Sequence, residues 1–480
     1  MPARRPRLAS VASGVLSAAF AELGRALELP GAFSAEVLAE AESAARSVPT
    51  DPDAAALPDL RHIELFTIDP AGSTDLDQAL HLERADEGAV LHYAIADVAA
   101  FVAAGGAIDA EARRRGQTMY APDRRVPLHP DILGADAASL LPGVDRRAFV
   151  WRFELDDGAR PVSTSLTRAI VRSRRQWSYP EAQRAVDGGD APASLAALRW
   201  FGERRRERES ERGGASLSVP EVEIEADDGR YRLRRRATLP IETWNAHVSL
   251  LTGMSAADIM LRGGVGILRT MPAADDDDVA AFRAQTVALG LPWPEDMRYG
   301  DYLRGLDADD PAAMAVQDAA ASLFRGAGYA VFDGAPPADP VQAAIAAPYA
   351  HTTAPIRRLV DRWSLVICEA LAGGREVPAW ARESLPELPK LMGRSEHLAS
   401  RLEAASVDRV EAAVLSGHEG ETFDGVVLSA RGDTARVQLA HPPVSARVAG
   451  LEAPAGSTVR LRLARADIST GEVVLEPTSG

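Results

Sequence analysis

The chain is 480 residues long, and 46% of its residues are apolar. A chain of this length and composition buries sizeable cores and divides into two or three globular domains. Its formal charge of -16 at pH 7 argues against general nucleic-acid affinity over the whole surface, although local fields still act on a ligand that enters a channel. No stretch of about 18 uninterrupted apolar residues is present, so we expect no membrane span.

The cysteine and lysine contents are both unusually low. Cys368 is the only cysteine, which excludes an intramolecular disulfide and a zinc site built from cysteines. A reducing compartment fits, and we expect a cytoplasmic protein. Lys390 is the only lysine, so nearly all positive charge lies on guanidinium groups, which suit phosphate contacts. Each short basic run, such as Arg124 and Arg125, also fits an ordinary solvated face.

Two helices are predicted at the N-terminus, over residues 10–29 and 34–47, with Ser34 as the N-cap of the second. Three arginines precede them, and with the apolar residues that follow they loosely resemble a signal or transit peptide: Arg4, Arg5 and Arg7. Two roles for the helices stay open. They form a helix-turn-helix-like unit with an arginine arm on phosphates, or they pack as a structural cap.

An acidic loop follows a predicted strand over residues 63–68 and precedes another over 89–96. The loop contains Asp69, Asp75 and Asp77. Short acidic side chains so close together repel one another unless solvent, a basic partner or a cation relieves the repulsion, and an oxygen-bound divalent cation does so directly. A polar surface turn is the alternative. The buried strands on both sides favour the metal site.

The middle of the chain alternates strands and helices and then becomes mainly helical. Four acidic residues over 275–278 lie at a helix start, where they complement the helix dipole, so we assign them no catalytic role. We predict a hairpin over 221–236, a strand over 148–155 whose partner begins near residue 161, and helices over 107–116, 181–186, 192–212, 242–261, 277–289, 311–325, 354–371 and 388–415.

The C-terminal residues predict a small barrel. Five short alternating strands are expected, over residues 423–428, 435–439, 446–451, 458–464 and 472–475, which suggests an OB-type barrel. Such barrels bind single strands through a basic groove and stacking aromatics. Phe423 is the only aromatic residue here, so a structural cap is the alternative. The candidate phosphate contacts are Arg431, Arg436, Arg447, Arg460 and Arg462.

An ordered set of motifs resembles the ribonuclease II (RNB) family. The set comprises the acidic loop and four further segments, at residues 95–98 (IADV), 115–122 (RGQTMYAP), 139–142 (SLLP) and 349–361 (YAHTTAPIRRLVD). The resemblance spans about residues 60 to 415. It implies an α+β fold with a helical N-terminal segment over 1–59, an RNB catalytic domain of mixed sheets and long helices over 60–415, and an OB-type RNA-binding barrel over 418–480.

The resemblance also implies an activity and the residues that carry it. The family's activity is hydrolytic 3'-to-5' degradation of single-stranded RNA to nucleoside 5'-monophosphates, supported by Mg²⁺, with Mn²⁺ as a substitute. We expect a monomer whose partner is single-stranded RNA. The implied metal ligands are Asp69, Asp75, Asp77 and Gln78, the catalytic residues are Asp77 and Arg357, and the RNA contacts are Tyr120, His351, Arg358, Phe423 and Arg436.

Several positions depart from the family pattern. Gln78 stands where the family has a fourth aspartate, and an amide oxygen brings no charge to a cation. The family's acidic pair on a later helix falls on Ala246 and His247. The other departures from its signatures are Val341, Ala354 and Leu359. Two alternatives therefore stay open, a catalytically weakened RNA-binding relative and an exonuclease that also acts on single-stranded DNA.

The N-terminal segment is also a departure, because about 60 residues cannot hold the two cold-shock barrels that normally precede the family's catalytic domain. We expect a wider channel mouth and better tolerance of structured RNA as a result.

Overall fold

The computed structural model describes residues 10–50, 56–215, 221–227, 230–236, 238–307, 310–320, 323 and 325–478. The predicted α+β class is confirmed. The helices are α1 (Ser10–Ala26), α2 (Ala35–Ser47), α3 (Ala107–Arg115), α4 (Tyr179–Gly188), α5 (Ala193–Arg212), α6 (Pro240–Gly263), α7 (Asp276–Ala288), α8 (Tyr299–Arg304), α9 (Pro311–Ala320), α10 (Leu359–Ala372), α11 (Ala379–Ser384) and α12 (Leu388–Leu415).

The strands begin after the N-terminal helices and end close to the C-terminus. They are β1 (Leu65–Asp69), β2 (Gln78–Arg84), β3 (Ala89–Ala96), β4 (Met119–Ala121), β5 (Arg124–Val126), β6 (Asp145–Leu155), β7 (Pro161–Ser178), β8 (Glu221–Asp227), β9 (Arg230–Arg236), β10 (Val265–Thr270), β11 (Gly328–Asp333), β12 (Val341–Gln342), β13 (Ala347–Pro348), β14 (Thr422–Arg431), β15 (Thr434–Leu439), β16 (Ser445–Ala449), β17 (Thr458–Asp467) and β18 (Glu472–Pro477). None of the helices in the described ranges is long and apolar enough to cross a membrane.

Five strands form a closed barrel in the order β1-β2-β3-β6-β7. The parallel pairing of β1 with β7 closes it, and the other neighbours are antiparallel. Side chains alternate along each strand, so Phe149 and Trp151 lie in one buried cluster while Ala148 and Val150 lie in another. Because both faces are covered, the strands hold the acidic loop at their ends in a rigid frame.

Both predicted N-terminal helices are present and pack on the rest of the chain. Ser34 caps α2 as predicted, its hydroxyl accepting a hydrogen bond from the Val37 N–H at 3.3 Å. In α1, Leu16 and Phe20 are buried against Val410 of α12, and each such burial contributes about 1.5 to 3 kcal/mol. This packing is compatible with the structural-cap alternative, and the role of the helices stays a prediction. The arginines predicted as a phosphate-contacting arm, Arg4, Arg5 and Arg7, lie outside the described residues.

One long helix begins later than predicted. The helix expected over 354–371 starts only at Leu359. The residues before it are held in an irregular turn, because Asp361 accepts the Ala354 N–H at 2.7 Å and the Arg357 carbonyl accepts the Thr118 N–H at 2.8 Å. These two bonds, one local and one to a distant segment, outweigh local helix propensity, and the turn presents Arg357.

Smaller differences appear elsewhere. The helix predicted over 311–325 ends at Ala320 within the part of the chain that is described, and Pro192 is the N-cap of α5, not its first helical residue. The hairpin over 221–236 and the helix over 388–415 are confirmed. The sequence did not predict the β4–β5 hairpin or the pairing of β10 with β11.

The five C-terminal strands are confirmed and pair in the order β16-β15-β14-β17-β18. This is the pairing of an OB-type barrel that is nearly closed, with β16 and β18 at the open seam. Val437, Leu461 and Leu463 are fully buried in its core. The barrel is anchored to α12, where a Glu411 carboxylate oxygen accepts the Ser445 N–H at 2.8 Å.

Candidate active site

The acidic loop joins β1 to β2 at one end of the closed barrel. Asp69 is the last residue of β1, and Gln78 is the first of β2. The Ser139 hydroxyl pins the loop, since it accepts the Leu76 N–H at 2.9 Å and donates to the Thr74 carbonyl at 2.6 Å. The 139–142 motif therefore serves to hold the aspartates in place.

Asp77 and Arg357 form a pair between residues that are far apart in the sequence. Asp77 is fully buried, and its two oxygens accept the Ile356 N–H at 2.7 Å and the Arg357 Nε–H at 2.6 Å. Burial raises the pKa of Asp77 to about 7, although the Arg357 charge opposes this shift. Burial disfavours the charge on Arg357, but chiefly Asp77 raises the Arg357 pKa above its ordinary range.

Arg358 points to a different partner from Arg357. Its guanidinium pairs with Asp361, which is fully buried at the start of α10. Gln78 contacts the same segment, because its amide donates to the Thr353 carbonyl at 2.5 Å. The Gln78 amide nitrogen therefore ties the acidic loop to the segment that carries Arg357.

Asp69 offers the clearest position for a cation. Its Oδ2 atom is buried and has no hydrogen-bond partner. Burial raises the pKa of Asp69 to about 6. The Arg357 charge and the neighbouring Thr67 hydroxyl oppose this shift, and the charge of Asp75 adds to it. A buried, unpartnered carboxylate oxygen beside a second carboxylate fits a hard divalent ion.

The four predicted ligands do not form a closed cage. Among the residues that the structure describes, no group of three or more His, Cys, Asp or Glu side chains is close enough together to hold a metal ion. Asp69 has a buried oxygen without a hydrogen-bond partner, and the charge of Asp75 is nearby, whereas Asp77 faces Arg357 and the Gln78 amide nitrogen faces Thr353. Ligation by Asp69, Asp75, Asp77 and Gln78 stays a prediction.

Tyr120 lies on the β4–β5 hairpin at the rim of the loop. Its ring is 55% exposed, and its hydroxyl donates to Asp75 Oδ2 at 3.1 Å. An exposed ring fixed at one end is suited to stacking on a base. Arg125 faces Tyr120 across the hairpin and contacts the same Asp75 oxygen at 3.1 Å. No pattern in the sequence distinguishes Arg125 from the arginines of the other basic runs.

Tyr179 is a second residue that the sequence did not single out. It begins α4, directly after Ser178, which pairs with Asp69 across β1 and β7. Burial and then the charge of Asp69 raise the pKa of Tyr179, so its hydroxyl stays protonated near the acidic loop. The only signal in the sequence was the Ser178 to Glu181 capping box that starts the helix.

His351 is largely buried near Arg358 and is not an exposed residue. Its Nδ1 atom is 2.7 Å from the Tyr329 hydroxyl, and its ring contacts Tyr329 and Tyr349 edge-on. Burial and the charge of Arg358 lower the pKa of His351 well below its ordinary value, so the ring is neutral. These contacts fit a supporting role for His351.

His247, at the position expected for an acidic pair, is a core residue. It is 4% exposed, and its Nε2 atom lies 4.0 Å from Glu209 on α5. Burial, with a contribution from Arg205, lowers the pKa of His247 to about 4. The neutral ring therefore brings no acidic group to the site.

The predicted RNA contacts of the C-terminal barrel have protein partners. Phe423 is half-buried against the barrel core, and the Arg436 guanidinium donates to Asp318 of α9 at 2.8 Å. Arg460 similarly pairs with Asp424 at 2.9 Å. Phe423 therefore does not offer a free ring for stacking on a base. The two arginines lie at the surface.

Comparisons with known proteins agree with this architecture. Residues 58–370 match the model of the RNB domain, and residues 421–478 match the RNase II-type exonuclease C-terminal S1 domain. Ribonuclease R of Aquifex aeolicus is 26% identical over 84% of this chain and 59% of its own length. Human exosome complex exonuclease RRP44 is 35% identical over 35% of this chain.

The chain spans less than two thirds of the length of these curated relatives, and only 18% of human RRP44. The solved apo form of RNase R from Mycoplasma genitalium superposes with a TM-score of 0.85 at 17% identity, covering 96% of this chain and 78% of that one. That likeness shows a common fold. Because the RNB model covers more than half of its residues, the chain belongs to the RNB family.

Proposed function

We propose that this chain is a hydrolytic 3'-to-5' exoribonuclease that degrades single-stranded RNA to nucleoside 5'-monophosphates as a cytoplasmic monomer. One observation carries the proposal. The fully buried Asp77 carboxylate is fixed by Ile356 and Arg357, and the Arg357 charge also acts on Asp69, which has a buried oxygen without a hydrogen-bond partner. The RNB family match and the exonuclease names of the relatives support the same activity.

The chain's own residues divide the chemistry between them. Arg357 neutralises charge that develops on the scissile phosphate, where a planar fork of donors is more effective than a lysine. Asp77 holds that fork in place by accepting the Arg357 Nε–H. Tyr120 stacks on a base near the 3' end, and stacking tolerates any sequence.

Asp69 and Asp75 would hold Mg²⁺, for which Mn²⁺ can substitute. When bound, such an ion supplies Lewis-acid polarisation of a phosphoryl oxygen and a ready source of hydroxide near neutral pH. Asp69 contributes the unpartnered oxygen, and Asp75 contributes adjacent negative charge.

A paired digestion tests the proposal. RNA and DNA oligonucleotides of one sequence, labelled at the 5' end, are incubated with Mg²⁺, with Mn²⁺ or with a chelator. We expect a ladder that shortens from the 3' end of RNA, release of nucleoside 5'-monophosphates, and no reaction in the chelator. Equal shortening of DNA would show that the 2'-hydroxyl is not read and would favour the broader exonuclease.

A catalytically weakened RNA-binding relative is the second candidate. Gln78 brings no charge to the loop, and Arg125 already neutralises part of Asp75. Tight RNA binding without release of nucleotides in either metal would favour this candidate over the exonuclease.

A further inference from the structure

Arg125 is a cation that the fold itself places on the acidic loop. Its Nη1 atom lies 3.1 Å from Asp75 Oδ2, the oxygen that also accepts the Tyr120 hydroxyl. Its Nη2 atom donates to Asp131 at 2.6 Å. Arg125 is three-quarters buried and Asp75 more so, which makes this contact stronger than a fully solvated ion pair.

The hairpin that carries Arg125 is held from behind. Met119 of β4 and Val126 of β5 are buried together with Leu23 of α1 and Leu402 of α12. Tyr120 and Arg125 are opposite each other in the register, so both reach Asp75 from one hairpin. The guanidinium is therefore positioned by packing, and not by a chance surface contact.

Two guanidinium groups already neutralise part of the negative charge of the acidic loop, so fewer metal ions are needed to balance it. Three carboxylates, those of Asp69, Asp75 and Asp77, face two guanidinium groups, those of Arg125 and Arg357. Gln78 adds no charge. One oxygen, Asp69 Oδ2, is left buried without a partner. A single divalent ion on the Asp69 side satisfies that oxygen.

We propose that Arg125 competes with divalent cations for Asp75, so that the acidic loop binds one cation on the Asp69 side and holds it weakly. Removal of Arg125 then makes Asp75 available as a full ligand. The inference rests on the metal assignment within the proposed function, and its test needs no RNA and no turnover.

Binding of Mn²⁺ alone to the full chain tests this inference, with free Mn²⁺ followed by electron paramagnetic resonance. The parent protein should bind one ion. Arg125→Ala should bind Mn²⁺ about fivefold more tightly, the change expected from loss of a partly buried ion pair of ~1 kcal/mol, or bind a second ion. Arg125→Gln gives the same comparison with less loss of packing.

Arg124→Ala is the matched control. It removes the same charge from the same hairpin, but the Arg124 guanidinium lies against α1, where a Cβ on Gly24 would be 2.1 Å from Arg124 Nη2. Its Mn²⁺ binding should equal that of the parent. Thermal unfolding of each variant confirms that the hairpin is folded.

The outcomes separate the inference from the proposed function. Equal Mn²⁺ binding by the parent, Arg125→Ala and Arg125→Gln would overturn the inference alone. An equal gain in Arg124→Ala would also overturn it, because the effect would then be one of general charge. Absence of Mn²⁺ binding in all the proteins would overturn the metal assignment itself and the inference with it.

Discussion

The acidic loop and the C-terminal barrel both use an aspartate–arginine pair, but the aspartate is fully buried in the first pair and partly exposed in the second. Asp77 is fully buried against Arg357 at 2.6 Å, whereas Arg436 is half exposed and meets Asp318 at 2.8 Å. Breaking a buried pair strands a desolvated charge, while an exposed pair contributes only about 0 to 1 kcal/mol. The buried pair therefore fixes the geometry of the loop, and under the proposed function the exposed arginine would exchange its carboxylate for an RNA phosphate.

The largest expected effect comes from the other buried pair of the catalytic region. Asp361 is fully buried and accepts the Ala354 N–H as well as pairing with Arg358. Asp361→Asn should lower the free energy of unfolding by roughly 3 to 5 kcal/mol, because Arg358 then loses its carboxylate. Denaturant unfolding measures this loss of unfolding free energy. Asp333→Asn, which breaks an exposed pair with Arg382, is the control and should cost less than about 1 kcal/mol.

Arg357→Lys should reduce the rate of RNA digestion roughly a hundredfold, as expected for loss of one electrostatic donor. A lysine has no Nε–H to donate to Asp77 and no planar fork for a phosphate. Single-turnover digestion measures the rate, and RNA binding should change little. The same change at the exposed Arg382 should leave the rate as it is; a parental rate in Arg357→Lys would remove Arg357 from the chemistry.

The contact between α12 and the barrel should depend on pH. Burial, with a contribution from Asp408, raises the pKa of Glu411 to about 7 against the opposing Ser445 N–H and Arg436 charge. The folded state therefore binds the proton more tightly than the unfolded chain. This stabilisation is present at low pH and is lost as pH rises through 7.

Glu411→Gln keeps an acceptor for the Ser445 N–H but does not titrate. We expect the parent to lose on the order of 2 kcal/mol of unfolding free energy between pH 5 and pH 8 that the variant keeps. Denaturant unfolding at the two pH values measures the difference. Parallel losses in the two proteins would show that Glu411 titrates as an ordinary surface glutamate.

The smallest effect is expected at the exposed pair itself. Arg436→Ala should weaken RNA binding two- to threefold and lower the slope of log affinity against log salt by about 0.7, as for one phosphate contact on a single strand. Asp318→Asn is the control, since it removes only the competing carboxylate and should not weaken binding. If both variants behave alike, Arg436 serves to join the barrel to α9.

The sequence predicted those parts of the molecule that depend on local pattern. Ser34 capped its helix as expected, α12 has the predicted bounds, and the five C-terminal strands are present. The ordered motifs also identified the family. Periodicity, capping residues and motif spacing are all properties of neighbouring residues, so a single sequence contains them.

The remaining features depend on contacts between distant segments. The turn that presents Arg357 is held by the distant Thr118 in addition to the nearby Asp361, and these bonds override a helical pattern. In the sequence, Arg125 is not distinguishable from the other arginines. In the structure, the β4–β5 hairpin places it against Asp75. In the same way, no residue near Gln78 in the sequence indicates that its amide hydrogen-bonds to Thr353.

Asp77→Asn tests the central claim most directly, because it keeps the size of the side chain and removes its charge. Release of nucleoside 5'-monophosphates from labelled RNA and RNA affinity by fluorescence anisotropy are measured on the same preparation. We predict a loss of rate of at least about a hundredfold with RNA affinity within twofold of the parent. Digestion at the parental rate would contradict the assignment of the Asp77–Arg357 pair as the catalytic centre.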